Sequence, residues 1–194
     1  MLRIIGGEYR SRVLATPHGK DQTRPMGART KEAIFNLLRG WFEEAHVLDL
    51  FAGVGTMGLE AVSRGAARVV MVERDRHVFQ ILQGNVHALG CGSRAIPVMA
   101  DALGPVAIAS APAPVDIVFM DPPFTMMREE LGLARVKAQL AACVPVMKPK
   151  SFLVVRSPDQ PVAAEWAIEG LAGPEVHHYG SEQWVMLFAP QANG

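Results

Sequence analysis

Asp121-Pro122-Pro123-Phe124 follows directly on the apolar run VDIVFM. The two prolines fix the backbone and remove two N–H donors, so the tetrapeptide offers carbonyls and one carboxylate as acceptors beside an aromatic ring. That set suits a planar base bearing an exocyclic amine. The Asp121 carboxylate and the Pro122 carbonyl can each accept one amine hydrogen, which turns the nitrogen lone pair out of conjugation and toward an electrophilic methyl group, while Phe124 stacks on the base. A base stacked in a helix cannot enter such a pocket, so a flipped or single-stranded nucleotide is expected. The competing reading is a rigid Pro-Pro turn capped by an aspartate.

A second group of residues lies upstream. The segment VLDLFAGVGTMGLEA, residues 47–61, reads as a strand, a tight turn and a helix start, with Gly53, Gly55 and Gly58 in GxGxxG spacing. In open α/β sheets such a turn sits at the carboxyl ends of the strands, where ligands bind, and glycine lets the backbone come close to them. A dinucleotide and S-adenosylmethionine both suit it, and purely structural glycines are the alternative. Asp49 favours S-adenosylmethionine, because a carboxylate just before the turn repels a pyrophosphate and attracts the cationic methionine end. Glu73 closes the strand VVMVE, 20 residues after Gly53, and its two oxygens suit the paired ribose hydroxyls that both ligands carry. Asp101, in PVMADAL, is placed to accept from the adenine amine. Any one of these acids alone reads better as a helix cap or a solvated charge. Three consecutive strands each ending in an acid weaken that alternative. Asp75 is expected to cap the next helix, and Glu60 to lie on a helix face.

These groups need a scaffold that brings strand ends together. Apolar or β-branched runs at 47–50, 69–72, 95–99, 115–120 and 152–155 alternate with helical periods at 56–64, 75–89 and 128–144. Strands apolar throughout, alternating with helices, imply a mostly parallel sheet covered on both faces. Residues 176–179 and 184–189 read as a C-terminal antiparallel hairpin, and 2–5 with 10–15 as a short N-terminal hairpin. Ala33, Ile34, Leu37, Leu38, Trp41 and Phe42 fall on one face of a helix. The Ala/Pro run 107–114 reads as a loop. The expected division is an N-terminal extension at 1–25 and one domain at 26–194.

The chain has 194 residues, 49% of them hydrophobic, which is a globular composition. Its formal charge is zero, with 19 basic and 19 acidic residues. That balance conceals an asymmetry, since residues 1–31 carry seven bases (Arg3, Arg10, Arg12, Lys20, Arg24, Arg29 and Lys31) against Glu8 and Asp21. A basic segment of this kind is suited to the phosphates of a nucleic acid, with Arg3, Arg10, Arg12, Lys20 and Arg24 as candidates; a solvated arm is the bland reading. Cys91 and Cys143 lie in no CxxC or Cys/His cluster and read as reduced, buried thiols. His18 and the His177-His178 pair lack the further ligands a metal requires, so no metal is expected. Neither a signal-peptide run nor a membrane-length apolar stretch is present in the sequence, and a cytoplasmic protein is expected.

Taken together, DLFAGVGTMGLEA, VVMVERD, the ADAL acid and DPPF resemble a class I S-adenosylmethionine-dependent methyltransferase with an amine-methylating motif. The basic start LRIIGGEYRSRVLATP, then TRP followed by RTKEAIFNLL, then a core with no inserted recognition domain, resembles the 16S ribosomal RNA guanine-N2 methyltransferase family (RsmD) over nearly the whole chain. The resemblance implies a Rossmann-like fold with a seven-stranded sheet, and methyl transfer from S-adenosylmethionine to the exocyclic amine of one guanine of 16S rRNA, within a small-subunit particle, by a monomer. It places Asp49, Gly53 and Gly55 near the methionine moiety, Glu73 at the ribose and Asp101 at the adenine, with Phe51, Ala52, Arg74 and Ala102 as further cofactor-binding residues, and Asp121, Pro122, Pro123 and Phe124 at the target base. One departure stands out. Family members usually carry Thr-Thr-Asp after the Arg-Pro pair, where this chain has Met26-Gly27-Ala28, so any contact made by those polar side chains is lost or replaced. An adenine-N6 enzyme, a nicotinamide-dependent oxidoreductase and a non-catalytic RNA-binding module are the alternatives. Asp49 and DPPF oppose the oxidoreductase, and the set of cofactor acids opposes the binding module.

Overall fold

A computed structural model of the chain describes residues 2–17, 27–180 and 182–191. Its centre is a seven-stranded sheet of β1 (His46–Asp49), β2 (Arg68–Glu73), β3 (Ala95–Met99), β4 (Val115–Met120), β5 (Met147–Ser157), β6 (Leu171–His178) and β7 (Trp184–Pro190), in the order β3-β2-β1-β4-β5-β7-β6. The first five strands are parallel. β7 runs antiparallel to both β5 and β6. The expected Rossmann-like architecture is therefore present, with the C-terminal hairpin closing one side.

Side chains alternate across the sheet with period two, which splits the core between its faces. Val47, Val69, Ile117 and Val154 join a cluster with Ile34, Phe35 and Leu59, whereas Leu48, Val70, Val118 and Val155 join Leu140, Trp166 and Phe188. The helices over these faces are α1 (Ala28–Leu37), α2 (Gly58–Ser63), α3 (Arg76–Leu89), α4 (Pro105–Ala109), α5 (Phe124–Arg128) and α6 (Glu130–Cys143).

Several elements differ from their sequence pattern for identifiable reasons. The Ala/Pro run read as a loop begins with α4, because Pro105 occupies the first turn, where its missing N–H costs nothing. The helix expected over 128–144 is present as α6, and a separate short helix, α5, precedes it, the two parted at Glu129, whose backbone is extended. α1 stops at Leu37, and Phe42 reaches the core through the turn that follows. β6 starts well before 176, with a register shift between Ala172 and Glu175 where Gly173-Pro174 interrupts the apolar pattern. The N-terminal hairpin is an irregular ribbon rather than two strands. One bridge joins Arg3 to Val13, with Ile4 N donating to Arg12 O at 3.0 Å and Leu14 N to Leu2 O at 3.0 Å.

This ribbon is clamped onto α2 by Glu60, which does lie on a helix face, as its position in the sequence suggested. Glu60 is wholly buried. Its Oε2 accepts from Ile5 N at 2.8 Å and Lys31 Nζ at 3.1 Å, and its Oε1 from Gly6 N and Arg64 Nε, both at 2.9 Å. Ser63 Oγ donates to Gly6 O and accepts from Tyr9 N. Further along, Asn85 of α3 exchanges hydrogen bonds with Ala15 and donates to Val54 O in the glycine turn. α2 has no outward face because the ribbon covers it.

Candidate active site

Because β1 to β4 are parallel, their carboxyl ends share one edge of the sheet. Asp49 stands in its middle, in register with Met71 on β2 and Phe119 on β4. Its Oδ2 accepts from Gly58 N at 2.9 Å. Its Oδ1, also out of solvent, has no hydrogen-bond partner among the described residues. Glycine is required at 58 by the close approach, since a Cβ would lie 2.5 Å from Met71 Cγ and 3.2 Å from Asp49 Oδ2. Gly55 turns the chain at φ +93°, and a Cβ there would lie 2.7 Å from Leu82 Cδ1. Burial pushes the Asp49 carboxyl up to about 7; the Gly58 N–H opposes the rise, and the charges of Asp121 and Glu73 add to it. A buried carboxyl in this condition gains from a cation brought to its free oxygen.

Glu73 is oriented by two backbone amides, Gly53 N on Oε2 at 3.0 Å and Asp75 N on Oε1 at 2.7 Å. Each oxygen keeps a lone pair for a further donor. Asp75 caps α3, accepting from Val78 N at 2.9 Å, as its position in the sequence suggested. Ala52 is buried, Phe51 half-buried and Arg74 exposed at the same edge. Asp101 is more engaged than its motif implies. Its Oδ1 accepts from Leu103 N and its Oδ2 from Arg135 Nη2, each at 3.0 Å, and these contacts, the Leu103 amide first, hold its carboxyl below the ordinary range. Ala102 beside it is buried.

The tetrapeptide stands across from this group. Pro122 is buried, Pro123 precedes α5, and Phe124 opens that helix half-buried. Asp121 Oδ1 is held by Arg156 Nε in a very short ion pair. Burial pushes the Asp121 carboxyl up, while the Arg156 charge and hydrogen bond pull it down. The Arg156 guanidinium also lies over the Phe124 ring, 4.6 Å from its centroid. Ile34, Met57, Phe119 and Val154 line a cavity of about 10 Å³ behind the pair. Sequence reasoning missed Arg156. The available signal was an arginine in an otherwise apolar strand, FLVVRS, beside the DPPF strand.

Of the basic candidates, Arg3, Arg10 and Arg12 lie on the ribbon rather than at the strand ends that carry Asp49. Arg3 is exposed on the ribbon. Arg10 is in the turn that packs on Ser63, at the C-terminal end of α2, and Arg12 Nη2 donates to Ala88 O at the end of α3. Each of these helices follows a strand and runs back across the sheet, so its end lies at the edge opposite Asp49. Lys20 and Arg24, like His18 and Met26, lie outside the described residues. Cys91 and Cys143 are buried away from the site, and burial pushes the Cys143 thiol up to about 12. Among the described residues, no helix is long and apolar enough to cross a membrane.

The model of a family described as "Conserved hypothetical protein 95" matches residues 2–187. The chain is 39% identical over 142 residues to "Ribosomal RNA small subunit methyltransferase D" of Escherichia coli (strain K12), a match covering 72% of this chain and 70% of that protein. It is 36% identical over 128 residues to the protein of the same name from Haemophilus influenzae, covering 63% and 64%. The solved structure described as "Putative methyltransferase yhhF from Escherichia coli" superposes with a TM-score of 0.78 at 32% identity, over 99% of each chain.

Proposed function

The chain belongs to the family described as conserved hypothetical protein 95, the RsmD methyltransferases, and on that basis we propose that it methylates small-subunit ribosomal RNA. The donor is S-adenosylmethionine and the acceptor the exocyclic N2 amine of a guanine in 16S rRNA. The observation that carries this reading is the pairing, on one sheet edge, of Asp49 with its unpartnered oxygen and Asp121 beside an aromatic ring.

The residues fit the donor. Asp49 Oδ1 is a buried acceptor awaiting a cation, the space next to Gly53 is open, and Glu73 has lone pairs for ribose hydroxyls. Asp49, Phe51, Ala52, Gly53 and Gly55 would hold the methionine end, Glu73 and Arg74 the ribose, Asp101 and Ala102 the adenine. When bound, S-adenosylmethionine supplies an electrophilic methyl group. Asp121 and the Pro122 carbonyl accept the amine hydrogens and aim the nitrogen lone pair, while Phe124 stacks on the base. Orientation supplies much of the rate. No strong base is needed, because a methylated aromatic amine sheds its proton readily, to Asp121 or to water.

Residues 1–25 are read as a basic N-terminal hairpin and extension ahead of a methyltransferase domain at 26–194. Arg3, Arg10, Arg12, Lys20 and Arg24 would take RNA phosphates, which position a substrate without reading its sequence. Contacts from Arg10 and Arg12 would then fall on RNA distant from the target base. The substrate is taken to be RNA within a small-subunit particle and the enzyme a monomer.

The test uses wild type and Asp121→Ala with small-subunit particles and naked 16S rRNA that lack the modification. Wild type is expected to yield N2-methylguanosine in the digested RNA, and Asp121→Ala none while binding S-adenosylmethionine normally by calorimetry. Methyl transfer by the variant at the wild-type rate, or N6-methyladenosine as the product, would overturn the reading.

A further inference from the structure

We infer that Arg156 is the positioning residue of the acceptor half of this site: it fixes one oxygen of Asp121 and one face of Phe124, so that the other oxygen and the other face receive the target base. The inference rests on the proposed methyl transfer and adds a residue to it.

The geometry begins with the sheet. Met120 of β4 pairs with Val155 of β5, so the next residues on the two parallel strands, Asp121 and Arg156, are neighbours. Both follow Phe119 and Val154 by two and so share their face of the sheet. Arg156 Nε donates to Asp121 Oδ1, whereas Oδ2 has no hydrogen bond among the described residues. The same guanidinium covers Phe124, so one planar group links the two parts of the motif that must meet the base. Two prolines lie between Asp121 and Phe124 and fix the backbone, but they do not fix either side chain. Arg156 does.

An ordinary structural arginine in this chain behaves differently. Arg94 engages Glu8, Tyr9 Oη and the Val62 carbonyl, so both its terminal nitrogens are in use. Arg156 is 7% exposed, yet its Nη1 has no partner among the described residues. A buried donor left unpaired is costly and rare where packing is the only purpose. The cation is retained beside Asp121 although burial of an unmatched donor works against it.

The charge matters as well as the geometry. An ionised Asp121 is the stronger acceptor for an amine hydrogen on Oδ2, and Asp49 is the acid coupled to it. Burial disfavours the Asp121 charge, whereas the Arg156 charge and hydrogen bond favour it. Without the cation the carboxyl titrates at higher pH.

The experiment compares wild type, Arg156→Gln and Arg156→Lys by two readouts. In methyl transfer to the RNA substrate, Arg156→Gln is expected to lower kcat about 10- to 100-fold, the loss of one charge-assisted hydrogen bond, with S-adenosylmethionine affinity unchanged. The low-pH limb of its kcat profile moves to higher pH. Arg156→Lys restores that limb but only part of kcat, since ammonium carries the charge and not the plane. Independently of RNA, carbon NMR of labelled aspartates, with the Asp121 signal assigned by Asp121→Asn, is expected to show Asp121 titrating at higher pH in Arg156→Gln and near its wild-type position in Arg156→Lys. An unmoved Asp121 titration, or an unmoved low-pH limb with kcat within about twofold of wild type, would overturn the inference. If wild type transfers no methyl group, the proposed function fails, and the NMR titration still decides whether Arg156 governs Asp121.

Discussion

Asp49 and Glu60 belong to the same strand-turn-helix segment, and both carboxylates are cut off from solvent, with exposures of 1% and 0%. Their surroundings are opposite. Glu60 receives four hydrogen bonds, two from backbone amides and two from cations. Asp49 receives one from Gly58, keeps an unpartnered oxygen, and faces two further acids. The first is a completed anchor at the base of the N-terminal ribbon. The second keeps one oxygen without a hydrogen bond among the described residues, and the proposed function assigns that oxygen to the cationic end of the methyl donor.

Removing the anchor should produce the largest effect. Glu60→Ala leaves Lys31 and Arg64 buried or half-buried with two amides unpaired, and is expected to cost about 3–5 kcal/mol of stability, read from denaturant unfolding. Cleavage of residues 2–15 by a nonspecific protease should rise with it. Wild-type stability in Glu60→Ala would erase the contrast. For the same reason, deleting the first 20 residues would not isolate their role in RNA binding, because it strips Glu60 of its two backbone-amide partners.

Asp49→Asn should do the reverse. The folded-state pKa, about 7, lies above the ordinary value of 3.8, so the folded chain holds this proton more tightly than the unfolded one. Stability from this group is therefore present below about pH 4, declines as pH rises toward 7, and is absent above it. The neutral amide escapes that loss, and a gain of roughly 1–3 kcal/mol is expected above pH 7, smaller than the titration alone implies because the amide leaves a donor unpaired. Thermal unfolding at pH 5 and pH 8 measures it, the gain shrinking at the lower pH. S-adenosylmethionine affinity should fall in the same variant.

A related and smaller effect sharpens the cofactor side. Affinity of the wild type for S-adenosylmethionine, measured by calorimetry, is expected to weaken as pH drops through about 7, by up to about tenfold per pH unit, because the cation must then displace a proton from Asp49. Asp49→Asn should show no such dependence. Least affected should be Arg12→Ala, whose single exposed contact with Ala88 O is worth within about 0.5 kcal/mol of stability. A loss of RNA affinity in that variant with a shallower salt dependence would establish a phosphate contact at the far edge.

The contrast also explains what could be read from the sequence. Asp49, Glu73, Asp101 and Asp121 were legible because each ends or follows an apolar strand, and parallel strands carry such residues to one edge. The alternation of strands and helices was legible for the same reason, apolar runs being long and punctuated. Glu60 was not, since helical period says which residues share a face but not that a ribbon some 55 positions upstream covers that face. Arg156 was hidden because its role depends on the pairing of β4 with β5, a contact between segments that no local pattern encodes. α4 was masked by an Ala/Pro composition that suits both a loop and a proline-started helix.

The ribbon on α2 has a consequence for the order of events during synthesis. Residues 2–15 leave the ribosome before the elements they dock on: Ile5 must wait for Glu60, 55 residues later, Ala15 for Asn85, 70 later, and Glu8 for Arg94, 86 later. At about 5–20 residues per second the last of these delays is roughly 4–17 s. During that interval Ile4 and Leu14, which end in the core, have no surface to dock on. A segment made ahead of its docking surface is thus seated late, and a bulky group fused ahead of Leu2 would act on that late step rather than on the sheet.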